Sequence, residues 1–131
     1  MSHPYHHALS SVKSFGGVCE DYLALHKWLD CTKAYMADVR HRALRHHTLG
    51  IFECEREFGE VIVNSDNKSI PVRIIAEQHI LEDLGTIPTP QDWLKEMRIV
   101  PWMAQTKKLS LEIPLPKDRK VISNASEDIF E

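Results

Sequence analysis

Eight histidines stand in 131 residues, at His3, His6, His7, His26, His41, His46, His47 and His79. That is roughly twice or more the average usage. They are spread over more than half the chain, so they are not a tag, and none follows His79. Neutral imidazole is the commonest metal ligand, and shells mixing His with carboxylate suit Zn, Mn, Fe or Ni. The spacing is suggestive at several points. His79 and Asp83 are four apart, on one face of a helix and near enough to share a ligand, with Glu82 as the competing partner three residues on. His26 and Asp30 repeat the spacing, although Asp30 also suits a helix cap; His3 and His7 repeat it again, with His3 expected just outside its helix. His46, Gly50 and Glu53 form a stripe on one helix face, in which the glycine leaves a notch roughly 10 Å long between an imidazole and a carboxylate.

Two readings of this pattern stand side by side. In the first, His46, His47 and His79 are metal ligands, and His7, Glu53 or Asp83 completes the shell. The ion is a divalent transition metal: Zn, Mn, Fe or Ni. With an open position it activates water, Glu77 serves as general base, and the substrate is a phosphate ester or an amide. In the second, the imidazoles are core or interface groups hydrogen-bonded to carboxylates, and the protein is a non-catalytic interaction or regulatory module, with a homodimer as one form. The spacings are less specific than H-E-x-x-H, which is absent. There is no G-x-S-x-G, no phosphate loop and no dinucleotide fingerprint, so no nucleotide cofactor is expected. Cys54 lies seven residues from His47, which does not support a Cys–His nucleophile within one helix.

The elements that must position these groups read as mainly α with a small β-hairpin: about five helices around a central long helix. Ser2 or His3 caps the first helix, with Pro4 at its first position and Gly16-Gly17 at its end. The second covers residues 20–29, with Tyr22, Leu25 and Leu29 on one face. The third is capped by Asp30, starts near Cys31 and continues through Gly50 to Gly59, since one glycine costs only ~1 kcal/mol. On its wheel His46 and His47 share a side with Tyr35, Met36 and Val39, and His41 sits on the other flank. An antiparallel hairpin is expected near residues 60–75, where β-branched runs flank Ser65-Asp66-Asn67-Lys68. A fourth helix follows over residues 76–84, closed by Gly85, and a fifth starts at Pro90 with Thr89 as cap and Asp92 in its first turn. Residues 1–103 form a single domain in this reading, and residues 104–131 a partly ordered C-terminal extension.

The net charge of −3, from 16 basic and 19 acidic side chains, argues against a general nucleic-acid binder. No stretch approaches ~20 apolar residues, so no membrane span is expected. The segment MSHPYHHALSSVKSFGG lacks the apolar run of a signal peptide, and three cysteines without a C-x-x-C pair suit free thiols in a reducing compartment. The expected location is the cytoplasm.

The string HRALRHHTLGIFECEREFG, followed by VNSDNKSIPVRIIAEQHILEDLGTIPTPQDWL and PWM, resembles a family of small uncharacterised proteins of bacteria and their phages. The earlier HHA-x-SS-x-K-x-FGG and EDYLALHKWLD resemble it too, and the likeness covers about residues 3 to 103. The resemblance brings no activity. Its signature runs through His7, His26, His41, His46, His47, Glu77, His79 and Asp83, and it implies a phage-linked regulator only by analogy.

Overall fold

The computed structural model describes residues 3–106. It falls into two compact units, Met1–Met97 and Arg98–Glu131. From residue 107 onward the expected C-terminal extension lies outside the described residues.

The first unit is mainly helical with one hairpin, the class the sequence implied. Helix α1 (Pro4–Phe15) starts on His3, whose Nδ1 accepts from the Tyr5 amide at 3.1 Å, and closes at Gly16 with φ +85°. Helix α2 is Glu20–Asp30 and α3 is Thr48–Phe58. Strands β1 (Val61–Val63) and β2 (Ser69–Pro71) pair antiparallel in the register Val61↔Pro71, Ile62↔Ile70, Val63↔Ser69. This alternation buries Ile70 and leaves its neighbours outside. Helix α4 is Val72–Leu84, ending on the left-handed Gly85, and the short α5 is Pro90–Leu94, opened by the Thr89–Asp92 capping box. Helix α1 packs on α2, α3 on α4, and α2 on α3, while α4 also touches α1 and α2. The apolar core is Tyr22, Leu25 and Leu29 of α2, Ile51 and Cys54 of α3, and Val72, Ile75, Ala76 and Ile80 of α4, with Ala8 and Ile70. In the second unit the described residues carry one helical turn, α6 (Pro101–Ala104).

Two expectations need correction. The central long helix does not exist. Residues 31–58 form a 3-10 helix at Cys31–Ala34, another at Val39–Leu44, and then α3. Two side chains make the breaks. The Asp38 carboxylate accepts from the Arg40 amide at 2.9 Å, and His47 Nδ1 accepts from the Gly50 amide at 3.0 Å. Each offers the backbone a local partner that competes with a continuing helix. Asp30 holds the N-cap position of the 3-10 helix at Cys31–Ala34 but makes no capping hydrogen bond; it is the last residue of α2, and its side chain is buried. The fourth helix begins at Val72, not near Ala76: Pro71 fixes its own φ at −61° and serves as the N-cap position, so the second β-branched run is strand only as far as Pro71.

The α1–α2 connection is bolted to the hairpin turn. Asn64 Nδ2 donates to the Phe15 carbonyl at 3.1 Å, the Gly17 amide donates to Asp66 at 2.9 Å, and Asp21 accepts from both the amide and the hydroxyl of Ser65 at 2.9 Å. These bonds hold the ends of α1 and α2 against the hairpin that leads into α4. Further along, the Thr48 amide donates to the Pro88 carbonyl at 2.9 Å and Trp93 Nε1 to the His46 carbonyl at 2.9 Å, which pins the start of α3 against the α4–α5 connection.

Candidate metal centre

Six of the eight histidines are buried: His7, His26, His41, His46, His47 and His79. Imidazole needs a hydrogen-bond or metal partner to be buried without cost, and here the partners converge. Asp30 at the end of α2, His46 just before α3, and His79 with Asp83 on α4 each offer one ligand atom, all within 4.8 Å of one another. His46 Nε2 lies 3.0 Å from Asp83 Oδ2 and 3.6 Å from Asp30 Oδ1. His79 Nε2 lies 3.2 Å from Asp83 Oδ2 and 3.1 Å from Asp30 Oδ1. Both imidazoles are 0% exposed, and the side chains of Asp83 and Asp30 are 2% and 7% exposed. This cluster can hold a metal ion. A tetrahedral ion with bonds of ~2.0–2.1 Å spaces its donors by about 3.3–3.4 Å, close to the four imidazole–carboxylate separations.

A further layer surrounds the four. His7 stacks on His79 with ring centroids 3.8 Å apart. Its Nδ1 is 2.7 Å from Glu82 Oε1 and its Nε2 is 3.2 Å from Asp83 Oδ1. The second oxygen of Asp83 also faces Arg42 Nη2 at 3.7 Å. His26 Nδ1 meets His79 Nδ1 at 2.9 Å, and its Nε2 meets Ser11 Oγ at 2.8 Å. His41, expected on the opposite flank, is fully buried, bonded through Nδ1 to Thr32 Oγ1 at 2.8 Å, with its ring edge-on to His46.

The electrostatics follow from burial against partnership. For Asp83 burial opposes the charge, but the surrounding imidazoles of His46, His7 and His79 outweigh it and hold the carboxyl far below the usual range. Asp30 is lowered in the same way, with burial overcome by the His79 contact. Burial also opposes charge on His7, yet Asp83 and Glu82 hold its pKa above the ordinary value. His26 has no carboxylate partner, and burial, with His79 and His7 beside it, lowers it to about 3. Burial lowers His46 and His41 as well. Cys54 is packed in the apolar core, and burial pushes its thiol up to about 12.

These shifts set a pH window. Between about 3 and 6.5 the unfolded chain binds a proton at His26 that the folded chain refuses, so stability falls as pH drops below 6.5. His46 and His41 act in the same direction. His7 has the opposite sign: its contribution is complete below 6.5 and is lost as pH rises through its raised value. Asp30 and Asp83 stabilise above 3.8 and lose that contribution only in stronger acid. His26 alone should therefore remove on the order of 2 kcal/mol between neutrality and about pH 5. Urea midpoints measured across that range should fall, and a flat profile would contradict a buried neutral His26.

The sequence-derived candidates separate clearly. The structure brings His46, His79 and Asp83 together. His7 touches Asp83 from the outer layer. His47 is occupied as the cap of α3, and Glu53, half-buried on α3, shares no hydrogen bond or ion pair with the cluster. Glu77 lines a shallow cleft with Ile74, Gln78, Leu81 and Glu82 and is not among the four converging groups. Asp30 was not among the sequence-derived candidates, because its local cap signal was given precedence over its spacing from His26.

The chain matches, over residues 2–103, a family described as a domain of unknown function (DUF6915). It belongs to that family. No curated protein and no solved structure matches it. The match spans the whole histidine cluster of this DUF6915 domain and attaches no chemistry to it. Among the described residues no helix is long and apolar enough to cross a membrane.

Proposed function

We propose that this domain binds one divalent transition ion through His46, His79, Asp30 and Asp83, and that the ion is a structural clamp and not a hydrolytic centre. The observation that carries the reading is the convergence, within 4.8 Å of one another, of four donors from three separate segments. Two carboxylates and two neutral imidazoles also cancel the charge of a dication, which a buried site requires. The donors are nearly closed to solvent. Closed four-ligand sites are structural, whereas catalytic ones keep a position open for water. Glu77, the candidate base, lines a separate surface cleft and is not among the four converging donors. Zn2+ is the first ion to test, since four-coordinate geometry is its habit; Mn, Fe and Ni follow.

The interaction-module reading gains from the same feature. Between the ligands Asp30 and His46 the chain exposes Tyr35, Val39 and Leu44, at 81%, 53% and 52%. An ion fastening both ends of this segment would order an apolar surface for a partner or a second copy.

Elemental analysis of the purified, untagged protein should find a transition metal near one per chain. Zinc at a hundredfold excess over its Kd should stabilise the fold by about 2.7 kcal/mol and raise the Tm by roughly 10 °C or more. His46→Ala and His79→Ala should abolish that rise, while Glu53→Gln and Glu77→Gln should keep it. No bound metal, and a Tm unmoved by zinc or manganese, would overturn the reading. Sedimentation with and without zinc tests whether a dimer depends on the ion.

A further inference from the structure

We propose that Gln78, Ser11 and His26 form an outer relay that fixes His79 as its Nδ1–H tautomer and thereby turns the Nε2 lone pair onto the ion site. The inference rests on the metal reading only for its consequence; the order of protons along the relay follows from the partners alone.

The chain of reasoning starts at groups that cannot donate. Gln78 Nε2 lies 3.2 Å from the His7 carbonyl oxygen and 3.1 Å from Glu82 Oε2. Both are acceptors, so the amide nitrogen of Gln78 is the group that faces them. Its Oε1 is therefore the atom 2.8 Å from Ser11 Oγ, and the Ser11 hydroxyl must donate to it. The His7 carbonyl, 3.2 Å from the same hydroxyl, competes for that single proton without changing its direction. Ser11 has no second proton to offer His26 Nε2 at 2.8 Å, so His26 must donate there. His26 is 0% exposed, and no carboxylate lies within ion-pair distance of it among the described residues. It is neutral, with its proton on Nε2 and a bare Nδ1. The 2.9 Å contact between the two Nδ1 atoms then has one possible donor, His79.

His79 Nε2 is left with a lone pair that faces Asp30 Oδ1 at 3.1 Å and Asp83 Oδ2 at 3.2 Å. A lone pair and two carboxylate oxygens repel one another unless a cation lies among them. A metal ion satisfies all three atoms at once. Outer hydrogen bonds of this kind set ligand tautomers and tune metal affinity. Ser11, Gln78 and His26 are thus positioning residues: they touch no ion and act through His79.

The deciding measurement is the protonation of ring nitrogens by long-range nitrogen–proton NMR on the unaltered, metal-free full chain at mildly alkaline pH. The expected result is a proton on Nδ1 of His79 and on Nε2 of His26. A proton on Nε2 of His79, or on Nδ1 of His26, overturns the relay whether or not the chain binds zinc. The expected tautomers in a chain that fails to bind zinc would uphold the relay and remove the metal reading alone. In a zinc-binding chain, Ser11→Ala should weaken zinc affinity by about 10- to 100-fold, and Ser11→Thr, which keeps the hydroxyl, should restore it. Unchanged affinity in a folded Ser11→Ala protein would also overturn the proposal.

Discussion

Replacement of Asp83 by alanine is expected to cost about 3–5 kcal/mol, the range found when one partner of a buried charged set is removed. The Tm should fall by more than about 10 °C. Among the described residues no other carboxylate meets so many groups: Oδ2 faces His46 and His79, and Oδ1 faces His7 and Arg42. Its loss leaves the Arg42 guanidinium and the His7 ring facing a void, with only Glu82 still holding His7. Asp83→Asn keeps the volume and removes the charge, so it isolates the electrostatic part. Both variants should lose zinc binding. Thermal unfolding with and without zinc checks both effects, and an Asp83→Ala protein as stable as the parent would show that the histidine layer does not depend on this carboxylate.

Gly50→Ala is the second large effect, and its sign runs against helix propensity. Gly50 lies in the first turn of α3, where alanine would ordinarily stabilise by roughly 0.5–1 kcal/mol. A Cβ at this position would sit on the Arg45 carbonyl oxygen and 2.6 Å from the Arg45 carbonyl carbon. Backbone cannot move aside as a flexible side chain can, so the start of α3 must shift away from the segment that carries His46. The expected destabilisation is about 3 kcal/mol or more, with zinc affinity lowered in step. Denaturant unfolding with a zinc titration reads both. A neutral or stabilised Gly50→Ala protein would contradict the close approach of the two backbones.

This glycine shows why part of the site could not be read from the sequence. The absent side chain at Gly50 admits the chain's own backbone five residues earlier and not a ligand, so the notch beside Glu53 is filled from within. Adjacent residues His46 and His47 shared one side of a helical wheel, but a wheel holds only while the helix does. With the chain broken at Asp38 and His47, one imidazole enters the cluster and the other caps α3. The same breaks carry His41 inward, next to His46. What was legible rests on local chemistry: Pro4 and the Thr89-Pro90 start of α5, the β-branched runs of the hairpin around Asn67 at φ 62°, and the four-residue spacing of His79 and Asp83 within α4. Asp30 carried two local signals, a cap and a spacing from His26, and only the packing of α2 against α4 decides between them.

The bond from Trp93 to the His46 carbonyl has an optical consequence. Of the three tryptophans, Trp93 is tied to the backbone of one cluster residue, and Trp28, two residues before Asp30, lies beneath the Arg45 guanidinium at 3.8 Å. Trp102, 72% exposed, supplies a solvated background in the second unit. Indole emission responds to the polarity and charge around the ring, so the domain carries native fluorophores at both ends of the segment between Asp30 and His46. A change in the surroundings of His46 should register first in Trp93, and a Trp93→Phe variant would separate that signal from the emission of Trp28. Loosening at this cluster could then be followed in real time without any label.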